Sequence, residues 1–280
     1  MKILLTGAGS FLGRHLLPLL QKPHEIYCLV RRPAGLANEI GWDFNSPLPA
    51  QIPDCEAVIH LAAFVNFEPT MRLEQYEINT LSTLRLAQYA QKHNAYFVFS
   101  SMAGIHAPGA RIGPSSPIAP ANHYGMSKYL AEEIIKACVA RYALLRIGGM
   151  YGINGPAHLG LNTAITEAFL HQTPPTLKGP GKARRNYICV LDAAKWIACL
   201  IDGAEKGRAG QDIVYVAGEQ ILSIEGYLST VAEVLAGARH LHRIEGAESS
   251  DCIIEGSPSP FQQTAFKNYL GSLKHEAVRF

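Results

Sequence analysis

The feature that most constrains this chain is a glycine-rich turn between its first apolar run and its first helical pattern. Residues 2–5 (KILL) form a short apolar run typical of a buried parallel strand, and residues 14–21 predict a helix. Between them, Gly7, Gly9 and Gly13 have the spacing G-x-G-x-x-x-G, one residue longer than the commonest dinucleotide-binding fingerprint. Because the turn directly follows a strand and precedes a helix, we interpret it as dinucleotide-binding; the alternative is an ordinary strand-to-helix turn.

Each glycine has a distinct expected use. Gly7 permits the tight turn, Gly9 lets the backbone approach a pyrophosphate, and Gly13 lets the helix pack closely on the sheet. The start of the helix, aided by its dipole, turns free N–H groups toward the phosphates. These groups belong to Ser10, Phe11 and Leu12.

Strand and helix patterns alternate over the first half of the chain. The strand patterns cover 25–30, 57–60, 96–100 and 142–147, and the helix patterns cover 70–92 and 125–140. This alternation predicts an α/β fold with a doubly wound parallel Rossmann sheet. Pro18 is unusual inside a helix and would kink the first helix or end it early.

Beyond Tyr151 the pattern loosens and predicts a second region. A helical patch covers 164–170, a strand and helix cover 187–201, and a further helix covers 224–235. We expect an NAD(P)-binding Rossmann domain over 1–151, to which the chain returns over 186–217. Residues 152–185 and 218–280 then form a small discontinuous C-terminal substrate-binding cap over the sheet edge where ligands bind in such folds.

Composition excludes several classes of protein. The 280 residues carry a net charge of +2, which gives no electrostatic reason to bind nucleic acid or a membrane surface. No apolar run reaches the ~18–20 residues of a membrane span, and the turn after Leu5 does not fit a signal peptide. The six cysteines lack metal or C-x-x-C spacing and the histidines form no ligand cluster, so we expect reduced thiols, no metal and a cytoplasmic protein.

The end of the second strand indicates which dinucleotide is preferred. An acidic residue about 20 positions past the glycines would bond a ribose 2′-hydroxyl, but Arg31 and Arg32 stand there instead. Two guanidiniums suit a 2′-phosphate, so we favour NADP over NAD; alternatively both arginines are merely solvated. Asp43, followed by Phe44, would lie beside the adenine unless it is only a turn former.

Tyr124 and Lys128 are four residues apart on a predicted helix and therefore share one face. A phenol has a pKa near ~10, and an adjacent ammonium with an oxidised nicotinamide would lower that pKa. Tyr124 would then move a proton to or from a substrate oxygen while the nicotinamide carries the hydride. Farther along the helix, Glu132 and Glu133 predict a solvated face.

Together these motifs resemble the extended short-chain dehydrogenase/reductase superfamily, in its NAD(P)-dependent epimerase/dehydratase branch. The resemblance covers residues 1–235 and is carried by 6–13, 60–63, Asn79, 100–101, 124–128, 146–152 and 185–192. It implies that Tyr124 is the catalytic acid/base and that Lys128 lowers its pKa and bonds the nicotinamide ribose. Further cofactor or site contacts are implied for Leu61, Ala62, Ala63, Asn79 and Ser100.

The resemblance leaves two substrate contacts open. A hydroxyl at the end of the strand pattern 96–100 should bond the reacting oxygen: counting forward from the strand selects Ser101, which we favour, and counting back from His106 selects Met102. A thioether cannot donate a hydrogen bond. Arg185 resembles the arginine that grips a sugar-nucleotide diphosphate; the alternative is a structural ion pair, for instance with Asp192.

We therefore predict an NAD(P)-dependent epimerase or keto-reductase that transfers hydride at a secondary alcohol or ketone of a nucleotide sugar. No acidic residue follows Ser101 directly, which argues against dehydration. Two alternatives stay open: an NADPH-dependent reductase of a non-sugar carbonyl compound, and a catalytically silent NAD(P)-binding sensor or assembly protein. The resemblance also implies a homodimer through helices that include 80–92 and 127–140.

Overall fold

A computed structural model describes residues 1–36 and 38–277. Its strands, in chain order, are β1 (Lys2–Thr6), β2 (Glu25–Val30), β3 (Glu39–Gly41), β4 (Ala57–His60), β5 (Tyr96–Met102), β6 (Arg111–Ile112), β7 (Tyr142–Ile147), β8 (Met150–Tyr151), β9 (Thr176–Lys178), β10 (Arg184–Arg185), β11 (Ile188–Cys189), β12 (Gln211–Val216), β13 (Leu222–Ser223), β14 (His242–Ile244) and β15 (Ile253–Ile254). Its α-helices are α1 (Phe11–Leu20), α2 (Leu73–Tyr76), α3 (Ser82–Lys92), α4 (His123–Cys138), α5 (Gly160–His171), α6 (Val190–Glu205), α7 (Ile224–Val231) and α8 (Phe266–Ala277). π-helical turns cover Glu77–Leu81 and Ala232–Ala236, and a 3₁₀ turn covers Ala103–Ile105.

Contacts along the chain define two compact units. The first unit consists of Met1–Ala107, Ser116–Ile147 and Ala194–Tyr215. The second consists of Pro108–Ser115, Gly148–Ala193 and Val216–Phe280. The division of labour expected from the sequence, cofactor on one part and substrate on the other, stays a prediction.

The first unit is organised around a seven-stranded sheet of order β12-β7-β5-β4-β1-β2-β3. The pairings of β1 with β2 and β4, of β2 with β3, and of β5 with β4 and β7 are all parallel. Every side chain of β4 and β7 is buried, the pattern of parallel strands covered on both faces. The predicted doubly wound α/β fold is confirmed, and its strand order reverses between β1 and β4, where such folds bind ligands.

Helix α1 begins earlier than the sequence pattern indicates. It starts at Phe11 rather than Arg14, because the Ser10 side chain caps it by accepting a hydrogen bond from the Gly13 N–H at 3.0 Å. Pro18 lies inside the helix, which continues to Leu20. The expectation of an early end at Pro18 is therefore wrong.

The second unit has its own apolar core. Helices α5, α7 and α8 and the second π-helical turn pack around buried aromatic side chains. These are Tyr151, Tyr227, Phe266 and Tyr269. The predicted helices at 164–170 and 224–235 are present, and α8 is an element that the sequence pattern did not reveal.

No helix within residues 1–36 and 38–277 has both the length and the apolar character needed to cross a bilayer.

We expect Gly13→Ala to destabilise the first unit. A Cβ at Gly13 would lie 2.1 Å from the Gly7 carbonyl oxygen and 2.7 Å from that of Ala8, and neither backbone group can move aside freely. Overpacking of this kind costs about 1–3 kcal/mol, so thermal unfolding should show a Tm lower by several degrees. The matched control is Gly9→Ala, since a Cβ at Gly9 meets no atom within 4 Å. Equal Tm values for the two variants would contradict the packing argument.

Candidate active site

The glycine turn lies against the loop that follows β4. Gly7 has φ +74°, a conformation that strains other residues, and a Cβ there would lie 2.7 Å from the Ala62 nitrogen and 2.9 Å from the Leu61 carbonyl carbon. Above Gly9 the space is open, because a Cβ built there meets nothing within 4 Å. The turn therefore leaves room for a bulky group to approach its backbone closely at Gly9.

The start of α1 has free backbone donors beside this opening. The Ser10 N–H is used within the turn, where it donates to the Gly7 carbonyl at 2.9 Å. The Phe11 and Leu12 N–H groups lie in the first helical turn, where an α-helix offers no internal acceptor. Because both side chains are buried, these residues can contribute only their backbone. Open space and free N–H groups fit a phosphate.

The residues expected around the adenosine half differ in their environments. Arg31 and Arg32 follow β2 directly and are both exposed. The Asp43 carboxylate closes a turn by accepting from the N–H groups of Asn45 and Ser46 at 2.9 and 2.8 Å, and these bonds lower the pKa of Asp43. Asp43 is thus a turn former, and its contact with adenine stays a prediction. Phe44 is buried and takes a positive φ of 71° within this turn.

Asn79 joins the loop after β4 to helix α4. Its Oδ1 accepts from the Phe64 N–H at 2.7 Å, and its Nδ2 donates to the Phe64 carbonyl and the Ser127 hydroxyl, each at 2.9 Å. Thr80 donates to the Ser127 carbonyl at 3.0 Å. Both residues lie in the π-helical turn, so two adjacent side chains of this turn bond Ser127 on α4. The contribution of Asn79 to the cofactor site stays a prediction.

In the segment 60–63, a buried histidine is followed by partly exposed alanines. His60 is fully buried, with its ring nitrogens 2.6 Å from the Thr6 hydroxyl and 3.1 Å from the Thr83 hydroxyl, and burial holds its pKa well below the usual range. Ala62 and Ala63 are partly exposed, as is Ser100, whose hydroxyl donates to the His60 carbonyl at 3.2 Å. Cofactor contacts by 61–63 and Ser100 stay predictions.

Tyr124 and Lys128 lie near the start of α4, which the Asn122 side chain caps by accepting from the Gly125 N–H at 2.8 Å. Tyr124 is partly exposed and packs edge-to-face on Phe67, with ring centroids 5.3 Å apart. Lys128 is 2% exposed, and its ammonium lies 4.2 Å from the centre of the Phe99 ring. The pair thus combines a partly exposed tyrosine with a buried ammonium.

Burial changes both titrations in this pair. It raises the pKa of Tyr124 to about 12 and lowers the pKa of Lys128 to about 7, since a desolvated site disfavours each charged form. In the protein by itself, burial is the cause that sets the Tyr124 pKa, and it outweighs any effect of Lys128. The expected lowering of this pKa by Lys128 together with an oxidised nicotinamide stays a prediction. Without the nicotinamide charge, Tyr124 is a protonated phenol at neutral pH.

The end of β5 places its two candidate residues differently. Ser101 is 5% exposed, and its hydroxyl donates to Glu132 Oε1 at 2.5 Å. Met102 is partly exposed. Glu132 itself is fully buried, so the prediction that it belongs to a solvated face is wrong, whereas Glu133 is exposed and pairs with Lys136 at 2.7 Å.

A buried polar network around Glu132 is what sequence reasoning missed. Arg146 donates to both oxygens of Glu132, at 3.2 and 2.8 Å, and to the Tyr215 hydroxyl at 2.6 Å. That hydroxyl lies 2.8 Å from His106 Nε2. Glu132 follows Tyr124 and Lys128 at the same four-residue interval, and that spacing was the available signal that it faces inward.

Arg185 lies in the second unit and is partly exposed. Its Nη1 donates to the carbonyls of Arg184 and Ser250 at 2.9 and 2.6 Å. Asp192, the proposed alternative partner, accepts from the Thr264 N–H and hydroxyl at 2.6 and 2.9 Å. Backbone carbonyls therefore orient the guanidinium through one of its nitrogens.

Known proteins share this architecture. Residues 3–218 match the model of the NAD dependent epimerase/dehydratase family. A putative UDP-glucose 4-epimerase of Methanocaldococcus jannaschii is 28% identical over 216 residues, covering 69% of this chain and 71% of the relative.

Two solved structures have the same fold. MoeE5 in complex with UDP-glucose and NAD has a TM-score of 0.80 at 22% identity, covering 99% of this chain and 100% of that one. The dTDP-4-dehydrorhamnose reductase of Bacillus anthracis in complex with NADP has a TM-score of 0.77 at 19% identity, covering 98% and 99%. With the family match over most of its length, this chain belongs to the NAD dependent epimerase/dehydratase family of extended short-chain dehydrogenase/reductase enzymes, whose cofactor is a nicotinamide dinucleotide.

Proposed function

We propose that this enzyme transfers hydride at a secondary alcohol or ketone of a nucleotide sugar, as an epimerase or a keto-reductase. The observation that carries the proposal is the pair on α4: a partly exposed Tyr124 phenol one helical turn from the buried Lys128 ammonium. The same unit contains the open glycine turn with its free N–H groups. The relatives' UDP-sugar names support the substrate class.

The proposed chemistry divides between cofactor and protein. The bound nicotinamide supplies or accepts the hydride. In reduction, the Tyr124 O–H breaks and its proton moves to the carbonyl oxygen as that oxygen gains negative charge; in oxidation, the phenolate removes the alcohol proton. Lys128 balances the phenolate charge from a site shielded from water, where the interaction between charges is strong. Epimerisation uses both directions in turn, and reduction uses one.

Tyr124→Phe tests this chemistry. Loss of the only acid/base group assigned to the reacting oxygen should lower kcat by about 10²–10⁴-fold with little change in cofactor affinity. The matched control is Tyr129→Phe, a second partly exposed tyrosine of α4, which should keep its kcat. Turnover of nucleotide-sugar substrates is measured with purified protein. An undiminished kcat for Tyr124→Phe would remove Tyr124 from the mechanism.

We further propose that the cofactor is NADP. Arg31 and Arg32 are exposed at the carboxyl end of β2, next to the β1 turn, and no acidic residue takes their place. A 2′-phosphate would bond such guanidiniums, whereas a 2′-hydroxyl gains little from them.

Alanine substitution of these arginines separates the two cofactors. Loss of a charge-assisted hydrogen bond costs about 1.5–3 kcal/mol, so Arg31→Ala or Arg32→Ala should weaken NADPH binding by roughly 10-fold or more and leave NADH binding unchanged. Lys92→Ala, which removes an exposed cation at the end of α3, controls for net charge. Fluorescence titration gives both dissociation constants. Equal losses for NADPH and NADH would contradict a 2′-phosphate contact.

Arg185 provides the test of the nucleotide-sugar assignment. UDP, dTDP or GDP bound to the folded chain should raise Tm with concentration, and Arg185→Ala should abolish the rise. Arg184→Ala is the matched control, since Arg184 pairs with Asp251 at 2.9 Å and should keep the response. If no nucleotide stabilises the wild type at millimolar concentration, the reductase of a non-sugar carbonyl compound becomes the better assignment.

We also propose that the enzyme is a homodimer through the helices around α4. Met126 and Leu130, four residues apart on α4, are 36% and 38% exposed. Leu73 in α2 and Leu81 in the first π-helical turn, two elements that contact α4, are 67% and 44% exposed. Such apolar surface favours association, which sedimentation equilibrium tests.

A further inference from the structure

The end of β5 raises a question about the proposed reaction: which side chain stands beside the reacting oxygen with Tyr124. Ser101 is a poor candidate in this structure because its hydroxyl is already used. Its Oγ donates to Glu132 Oε1 at 2.5 Å, and the residue is 5% exposed. To reach a substrate, the hydroxyl would have to leave that acceptor.

Leaving Glu132 would be costly because the carboxylate is fully buried. Arg146 holds it with two donors, Nε at 3.2 Å and Nη2 at 2.8 Å, and Lys136 lies 3.9 Å away. A buried carboxylate is stable only when hydrogen-bond donors replace the water it has lost. Removing one of these donors destabilises the folded state, because the cost of desolvation is then not offset. The hydrogen bond to the buried Glu132 carboxylate therefore holds the Ser101 side chain in place.

Met102 has the opposite environment. Successive side chains of a strand alternate between its two sides, so Met102 does not follow Ser101 toward Glu132. It is partly exposed, and its Cε lies 2.4 Å from the position that a Cβ on Gly104 would take. Glycine at 104 thus makes room for the thioether.

Gly104 connects Met102 to the start of α4. The Gly104 carbonyl oxygen lies 3.0 Å from where a Cβ on Gly125 would be, and Gly125 directly follows Tyr124. The thioether therefore lies over the turn that abuts the start of α4.

We infer that Met102, not Ser101, is the β5 side chain presented beside Tyr124, and that Ser101 is a structural residue that satisfies Glu132. The inference rests on the proposed function. It means that neither residue 101 nor residue 102 donates a hydrogen bond to the reacting oxygen, since the Ser101 hydroxyl is bound to Glu132 and a thioether offers no donor. Hydride and proton still balance, because Tyr124 alone supplies the proton.

Two cysteine variants test the placement without any need for turnover. In the folded protein, iodoacetamide should alkylate Met102→Cys at least 10-fold faster than Ser101→Cys, as located by peptide mass spectrometry. The buried Cys55 and Cys189 serve as internal references for unreactive thiols. A Ser101→Cys variant that reacts as fast as Met102→Cys would overturn the inference.

Kinetics then test the chemical consequence. Ser101→Ala should lower Tm and change kcat less than about threefold, whereas Met102→Ser should raise kcat, because one added donor to a developing oxyanion is worth up to about 10²–10³-fold. Met102→Leu, which keeps the size without adding a donor, should show no such rise in kcat. A hundredfold loss of kcat in Ser101→Ala at unchanged Tm would overturn the inference. Absence of turnover in every variant would count against the proposed function, and the alkylation rates would still decide the placement.

Discussion

Gly13 packs against the first glycine of the turn so closely that a methyl group would lie 2.1 Å from the Gly7 carbonyl oxygen. This contact sets how near α1 approaches β1, and with it the position of the first free N–H groups of the helix. Gly7 in turn contacts the backbone at Leu61 and Ala62, so one turn fixes both loops at the point where the strand order reverses. Between these two packed glycines, a Cβ at Gly9 would meet no atom within 4 Å.

Polar side chains connect the loop after β4, which contacts the glycine turn, to helix α4. Asn79 bonds both backbone groups of Phe64 and the Ser127 hydroxyl, so the loop after β4 and the helix with Tyr124 share one anchor. Asn79 and Thr80 both lie in the π-helical turn, and they bond the hydroxyl and the carbonyl of Ser127. The start of α4, which carries the phenol, is thus tied to an irregular turn of a neighbouring helix.

The sequence predicts the strongly periodic parts of this protein and not the parts that depend on side-chain direction. Strands 25–30, 57–60 and 142–147 have the expected bounds because continuous apolar runs leave a buried parallel strand few alternatives. The final helix α8 was not predicted, since its apolar residues are packed by partners distant in the chain. Glu132 was misread because two adjacent glutamates look alike in a sequence, while only one of them faces Arg146.

The last two side chains of β5, at residues 101 and 102, point to opposite sides of the strand and therefore affect different properties of the protein. Since residue 101 satisfies a buried carboxylate, a change there disturbs Glu132 and Arg146 and costs stability. Residue 102 does not bond this carboxylate, because its side chain lies partly exposed beside Gly104. The fold therefore constrains the serine and leaves its neighbour free to vary. A substitution at residue 102 can therefore change the side chain at the end of β5 without disturbing the buried carboxylate of Glu132.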